Sequence, residues 1–300
     1  MSKRNLLNLI LLGIVAALVL VVVYEPGVEK KTKTALAALD KSTIHKITIE
    51  RTGQEKVTLE KQAGKWIMQA PFHIPANTIK AEGLLSLVEQ ETFAHYALKD
   101  LDVKNYGLDI PRASITFDDK ERFDFGATEP LNKRRYVRYH DTLYVINDYF
   151  YYQLMSPVTM FVDHKLLPES DNITRLVLPS LSLTLKDGTW QLQPKSDGQS
   201  NEQANELIDN WKLTHAIQLS DYDGKSAKQS AEVYLDNAQT PITFHILLDT
   251  EHFYLARPDL GLKYELARDK TNELLKLPSK IDVPAAEQKP APPKPTTGQN

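Results

Sequence analysis

The chain contains no cysteine, which removes disulfides, thiolate metal centres, iron–sulfur clusters and cysteine nucleophiles from consideration. That absence leaves the compartment open, because a cysteine-free chain suits a reducing cytosol and an oxidising envelope alike. An excess of one charge sign is also missing. The formal net charge is -3 and the pI is near 6.3, so the broad basic footprint of a nucleic-acid binder is not there. Reactive spacing is lacking too. The histidines at 45, 73, 95, 140, 164, 215, 245 and 252 form neither H-E-x-x-H nor H-x-H with a carboxylate at ligand spacing. There is no G-x-S-x-G, S-x-x-K, P-loop or Rossmann glycine fingerprint, so the common hydrolase and nucleotide signatures are absent. No catalytic, cofactor or metal residue is assigned on this basis. Asp221, Asp223 and Glu232 stand at positions 1, 3 and 12 of a calcium-type loop, but Lys225 at position 5 and Ser226 in place of the turn glycine spoil it.

Long apolar runs are scarce as well, with one exception. Leu6 to Val23 carries no charge and only Asn8 as a polar interruption. As a helix it would span roughly 27 Å, close to the hydrocarbon thickness of a bilayer. The following "VVVYEPGV" lacks the small-x-small pattern of a signal-peptidase site, so the run is expected to be an uncleaved transmembrane anchor. Lys3 and Arg4 precede it and place the N-terminus on the cytoplasmic side; Lys30, Lys31 and Lys33 beyond it pull the other way, among Glu25 and Glu29. The expected arrangement is a single-pass protein of the bacterial inner membrane with most of the chain in the periplasm.

Beyond the anchor the chain repeats itself. "GKWIMQAP" at 64–71 returns as "GTWQLQP" at 188–194. Ile44, Ile47 and Ile49 match Ile173, Leu176 and Leu178 in strands of period two, and "KVTLEK" matches "LSLTLK". Ala81, Leu84, Leu85 and Val88 recur as Ala204, Leu207, Ile208 and Trp211, both at the i, i+3, i+4, i+7 spacing of an amphipathic helix. Asn77 is placed to cap the first helix, and Ser200 with Gln203 forms a capping box for the second. "ASITFDD" at 113–119 then answers "AEVYLDN" at 231–237, and Tyr136 answers Tyr254. The offset drifts from 129 to 124, 123 and 118, as small deletions in a tandem duplication would cause.

The expected fold is therefore α+β: two tandem homologous units, each an antiparallel sheet with one main helix. The expected boundaries are 1–24 for the tail and anchor, 25–43 for a linker, 44–168 and 169–283 for the units, and 284–300 for a disordered tail. That tail, "PAAEQKPAPPKPTTGQN" from 284, has no large apolar residue with which to build a core. Trp66 and Trp190 are expected as core anchors that seat a helix on a sheet.

The first unit resembles the uncharacterised bacterial DUF4340 family. The matching phrases are "GKWIMQAP", "IPANTIKAEGLLSLVE", "DVKNYGLDIPRASITF", "DFGATEPLNKRRYVRYHDTLYVI" and "YYQLMSPVTMFVDHKLL", with coverage from about 44 to 168 and the second unit a diverged copy. The most specific piece is Tyr106-Gly107-Leu108-Asp109-x-Pro111, where Gly107 permits an unusual turn and Pro111 blocks helix before the next strand. The resemblance implies a membrane-anchored envelope protein similar to accessory proteins of gliding-motility-type ABC transport systems, and it carries over no catalytic residues.

The densest charge feature is "NKRRYVRYH" at 132–140. Lys133, Arg134, Arg135, Tyr136 and Arg138 form a candidate partner or anion contact, since arginine forks bind carboxylate or phosphate and tyrosine offers a flat face. The competing reading is a solvated hairpin whose charges discourage edge-to-edge strand pairing. The expected function is a non-enzymatic accessory or scaffold protein that binds another envelope or transporter protein, with no nucleic acid and no cofactor. The alternative is a cell-wall or polysaccharide binder or hydrolase.

Overall fold

The computed structural model describes residues 11–19, 35–168, 171–195, 200–224 and 227–278. Residues 11–19 are helical (α1) and belong to the apolar run, with side chains such as Leu12 largely exposed. The rest of that run, Lys3, Arg4 and the tail from 284 lie outside the described residues. Among the described residues no helix is long and apolar enough to cross a membrane.

The remainder is α+β, built on two antiparallel sheets. The first contains β1 (Lys46–Arg51), β2 (Val57–Gln62), β3 (Lys65–Ala70), β4 (Ile74–Pro75), β5 (Ala94–Ala97), β6 (Ala113–Phe117), β7 (Glu121–Thr128), β8 (Arg135–Tyr139) and β9 (Thr142–Ile146). Helices α2 (Thr78–Leu85) and α3 (Tyr149–Leu154) accompany it. The second contains β10 (Ile173–Val177), β11 (Ser182–Lys186), β12 (Thr189–Gln193), β13 (Gln218–Asp221), β14 (Gln229–Leu235), β15 (Ile242–Leu248), β16 (His252–Arg257) and β17 (Leu262–Ala267), with α4 (Asn201–Leu213) and α5 (Lys270–Leu275).

The spatial orders are β4-β3-β2-β1-β6-β7-β8-β9-β5 and β12-β11-β10-β14-β15-β16-β17-β13. Apart from β4 they are one and the same order. Each unit is a three-strand meander, a helix, an outlying strand and a four-strand meander that returns beside the first strand. Alternation sets the two faces of each sheet. Ile47, Ile49, Ile115, Phe123 and Val137 point into the core from the first sheet, and Leu176, Leu183, Val233 and Phe244 from the second. Both helix start signals are used: Asn77 accepts from the Lys80 N–H at 3.1 Å, and Ser200 and Gln203 bond reciprocally. The first helix is shorter than its spacing predicts, because a 3-10 turn over Ser86–Glu89 replaces α-helix after Leu85 while still burying Val88.

The paired tryptophans differ. Trp66 is 1% exposed and donates through Nε1 to Glu82 at 2.7 Å. Trp190, expected to be an equal anchor, is only partly buried at the rim of the core. Its volume in the second unit is supplied by Trp211 on α4, fully buried and donating to the Leu274 carbonyl at 2.8 Å.

The expected linker 25–43 also needs correction. Leu36 and Ala37 are buried, and their N–H groups donate to Gln90 and Val88 carbonyls just after the first helix. In the second unit Leu166 donates to Thr214, just after α4. Each unit therefore opens with a short lead-in segment paired to the stretch that follows its helix. The first unit begins near residue 35, and the lead-in of the second lies within the expected end of the first.

Candidate functional site

That second lead-in segment joins the two sheets. On one side the Asn77 N–H donates to the Phe161 carbonyl at 2.8 Å and the Asp163 N–H to the Pro75 carbonyl at 2.9 Å. On the other, the Ala216 N–H donates to the His164 carbonyl at 2.8 Å, and Lys165 bridges to His215. Residues 161–166 thus lie between the β4 edge of one unit and the approach to β13 of the other. Bonded backbone on both sides fixes how the units meet.

A cleft of about 650 Å³ opens along this seam. Its apolar wall comes from Ile67, Ile74 and Pro75 at the edge of the first sheet, while Asn77, Thr78 and Ile79 bring the N-terminal turn of α2 to it. The positive end of a helix dipole lies there, an environment that favours negative charge. The titratable side chains are Lys65, His73, Asp163, His164, Lys165 and His215. The His164 ring is fixed by Nδ1, which donates to the Ala216 carbonyl at 3.2 Å, leaving Nε2 as the remaining polar atom of that ring. Below the cleft the Trp66 hydrogen bond, helped by Lys61, holds the Glu82 carboxyl below the usual carboxylate range. Volume and lining are those of a binding cleft for a ligand or a short stretch of chain. Among the described residues no group of three or more histidine, aspartate or glutamate side chains is set to hold a metal ion.

The basic strip takes a different form from its linear spelling. Strand alternation turns Arg135 into the core, where Nε and Nη2 pair with Asp148 at 2.6 and 3.1 Å and Nη1 donates to the Gly126 carbonyl at 2.7 Å. Its guanidinium also lies 3.6 Å from the Tyr151 ring centroid. Arg134, Tyr136 and Arg138 belong to the opposite face. Arg134 covers Phe93 at 3.5 Å, Tyr136 meets Tyr106 edge-on at 5.0 Å, and Arg138 pairs with Asp124. Lys133 precedes the strand and is exposed. The sheet thus separates Arg135 from Arg134, Tyr136 and Arg138, and Lys133 joins neither face.

Asp124 is the centre of the outer-face network. It is 3% exposed and accepts from Ser114 at 2.7 Å, from Arg122 at 2.8 Å and from Arg138 at 3.0 Å. Arg122 reaches on to Glu50 at 2.8 Å, so four strands share one polar row. Burial opposes ionisation of Asp124 more than any other single influence, but the bonds from Arg138 and Ser114 and the charge of Arg122 together outweigh it. The carboxyl is held below the usual aspartate value.

The Tyr-Gly-Leu-Asp phrase packs against the same sheet. Gly107 closes a 3-10 turn over Val103–Tyr106 at φ +63°, a left-handed conformation that favours glycine. Leu108 then enters a small second core with Leu143 and Val145 on the outer face. Pro111 is half-buried and leads into β6. The seam cleft, by contrast, had no mark in the sequence, since its residues come from 62–79, 163–168 and 215 and no spacing rule links them.

No curated protein and no solved structure matches the chain. A family match runs from β5 through the second half of the first unit and across the seam to the turn after β14. It contains the Tyr-Gly-Leu-Asp-x-Pro phrase and leaves "GKWIMQAP" outside, so it is shifted along the chain from the 44–168 span of the resemblance. The family is the one described as Domain of unknown function (DUF4340), matched over residues 94–237, just under half of the chain, and the match supports the resemblance read from the sequence.

Proposed function

We propose that the protein is a membrane-anchored accessory or scaffold protein of the bacterial envelope, a tandem duplication of one α+β unit that holds another envelope or transporter protein and performs no chemistry itself. The observation that carries this reading is the seam: two units locked edge to edge by backbone hydrogen bonds, with a cleft along the join. A stiff body with a groove suits holding a partner in a set orientation. Duplication is supported by the common strand order of the two sheets. Membrane anchorage is supported by the exposed apolar side chains of α1, which belong to an uncharged run long enough to span a bilayer. Periplasmic placement of the units rests on Lys3 and Arg4 before that run. A polysaccharide contact through the basic strip has less behind it, because Arg135 and Arg138 are committed to Asp148 and Asp124.

The test is crosslinking of the full-length protein in living cells, with and without residues 284–300, followed by identification of the attached molecules. A specific membrane protein or transporter subunit is expected in both strains. Recovery of the protein alone, or with glycan only, overturns the reading.

A further inference from the structure

The two ends of the first sheet differ in what they expose. Cross-strand pairing sets Arg51 opposite Ala113, Ala113 opposite Phe125, and Arg135 opposite both Thr128 and Ile146. The loop before β6, the β7–β8 loop and the start of α3 therefore lie at one end. Ile110 in the first loop is 75% exposed and Leu131 in the second is 86% exposed. α3 crosses the same end, from Asp148 paired with Arg135 to the Ser156 carbonyl that accepts from Arg51. It buries Phe150 and Leu154 and leaves Tyr149 and Tyr152, three residues apart on its other face, 61% and 67% exposed. At the opposite end the β6–β7 and β8–β9 turns are Asp118-Asp119-Lys120 and His140-Asp141. Bulky apolar side chains at such exposure, gathered at one end of a sheet, mark an interaction surface.

The chain enters the described body at this apolar end. Ala35 bridges to Glu91, two residues before Phe93, whose N–H donates to the Val145 carbonyl beside Ile146. The uncharged run ends at Val23, so covalent geometry alone keeps Ala35 within roughly 40 Å of it, whatever path residues 24–34 take. In an anchored chain the tether delivers this end to the bilayer and leaves the acidic turns facing away.

Resting on the membrane-anchored reading above, we propose that this end of the first unit docks on the lipid surface, with Ile110, Leu131, Tyr149 and Tyr152 set at the level of the headgroups and first acyl carbons. A tyrosine ring with its polar tip suits that layer, and aliphatic loop tips reach just beneath it. The neighbouring charges offset one another, since Arg112 and Lys133 share these loops with Asp109 and Glu129. Binding therefore depends on apolar contact and not on anionic lipid. A lipid surface is selected over a protein partner because the tether brings every copy of this end to the bilayer. The contact fixes the orientation in which the rest of the body is presented.

Because the chain has no cysteine, Leu131→Cys, Tyr152→Cys and Asp141→Cys each create a single labelling site. The full chain, carrying the environment-sensitive fluorophore NBD at one of these positions, is placed in phosphatidylcholine nanodiscs with and without doxyl groups on the first acyl carbons. Doxyl lipid is expected to lower the emission at positions 131 and 152 at least about twofold and to leave that at 141 unchanged. Adding phosphatidylglycerol is expected to leave the quenching as it was. Ile110→Glu combined with Leu131→Glu, both at exposed positions, is expected to bring the quenching at 152 down to that at 141, with the melting temperature near that of the parent. Equal quenching at all three positions, quenching that requires phosphatidylglycerol, or quenching at 152 that survives both glutamates would overturn the proposal. Protein that does not elute with the nanodiscs sinks the anchored reading, and the contact with it. Protein that elutes with them while the labels at 131 and 152 stay bright sinks the contact alone, and crosslinking in cells from position 131 to another protein would then assign this end to a protein partner.

Discussion

Asp124 shows how a charge read as surface decoration becomes structural. In the sequence it stands near Asp118, Asp119 and Glu121, beside the basic strip, as one of several acids available to neutralise it. In the fold it is the buried acceptor between Arg122 and Arg138. Removing its charge leaves two guanidinium groups around a neutral amide. A fully buried pair broken in this way costs about 3–5 kcal/mol, and partial exposure of both arginines brings the expected cost of Asp124→Asn to about 2 kcal/mol. The pH dependence has a definite sign. The folded-state pKa is depressed, so the contribution is fully present above the ordinary aspartate value near 3.8 and is lost as pH falls through the folded value. Urea unfolding at pH 7 is expected to separate parent and variant clearly, and the gap is expected to shrink at pH 3. An equal gap at both pH values would remove the charge from the explanation. Arg51 makes the contrasting case: it is buried with its hydrogen bonds going to backbone carbonyls, those of Glu55 and of Ser156 just past the C-terminal end of α3. Burial lowers its pKa below the usual arginine value.

Among the elements, the most constrained contact is between the Tyr-Gly-Leu turn and the bulge of β7. The ladder between β7 and β8 slips between Phe125 and Thr128, which places Gly126 against the turn. A Cβ at Gly126 would overlap the Tyr106 carbonyl oxygen and lie 3.0 Å from Leu108 Cδ2. Because backbone blocks the space, the neighbour cannot simply rotate away. Gly126→Ala is expected to destabilise by about 1–3 kcal/mol, measurable as a lower urea midpoint at unchanged slope. An unchanged midpoint would mean that the turn yields freely. The two phrases that carry the family resemblance, Tyr-Gly-Leu-Asp and Asp-Phe-Gly-Ala, are therefore two sides of one contact. Element order was legible because strand and helix periods and glycine turns are local properties. The strip at 132–140 was not legible as a site, since adjacency in sequence becomes opposition across a strand. The exchange of Trp190 for Trp211 as core filler was hidden for a related reason: both positions are apolar, and only packing decides which one is enclosed.

At the scale of the whole molecule the question is whether two copies make two domains or one. A duplicated sequence argues for two, and the expected boundary near 168 divides the chain on that basis. The seam argues for one. Most of the buried apolar residues form one continuous cluster through both units, and residues 161–166 bond to each side. Neither feature can be seen in the sequence, because the second unit's lead-in has no motif of its own and its partners are backbone groups. If the units are thermodynamically one, calorimetry of the full chain in detergent will show a single transition. At about 0.7 kcal/mol per residue over roughly 230 ordered residues, its enthalpy is expected near 160 kcal/mol, equal to the van't Hoff value. Ala216→Pro deletes the N–H that donates to His164 and crowds the seam from the second unit's side, without touching the core of the first. It is expected to split the transition into two of smaller enthalpy, the lower belonging to the second unit. Two transitions in the parent would make the seam a contact of convenience. One transition in both proteins would move the coupling from the backbone bonds to the shared apolar core.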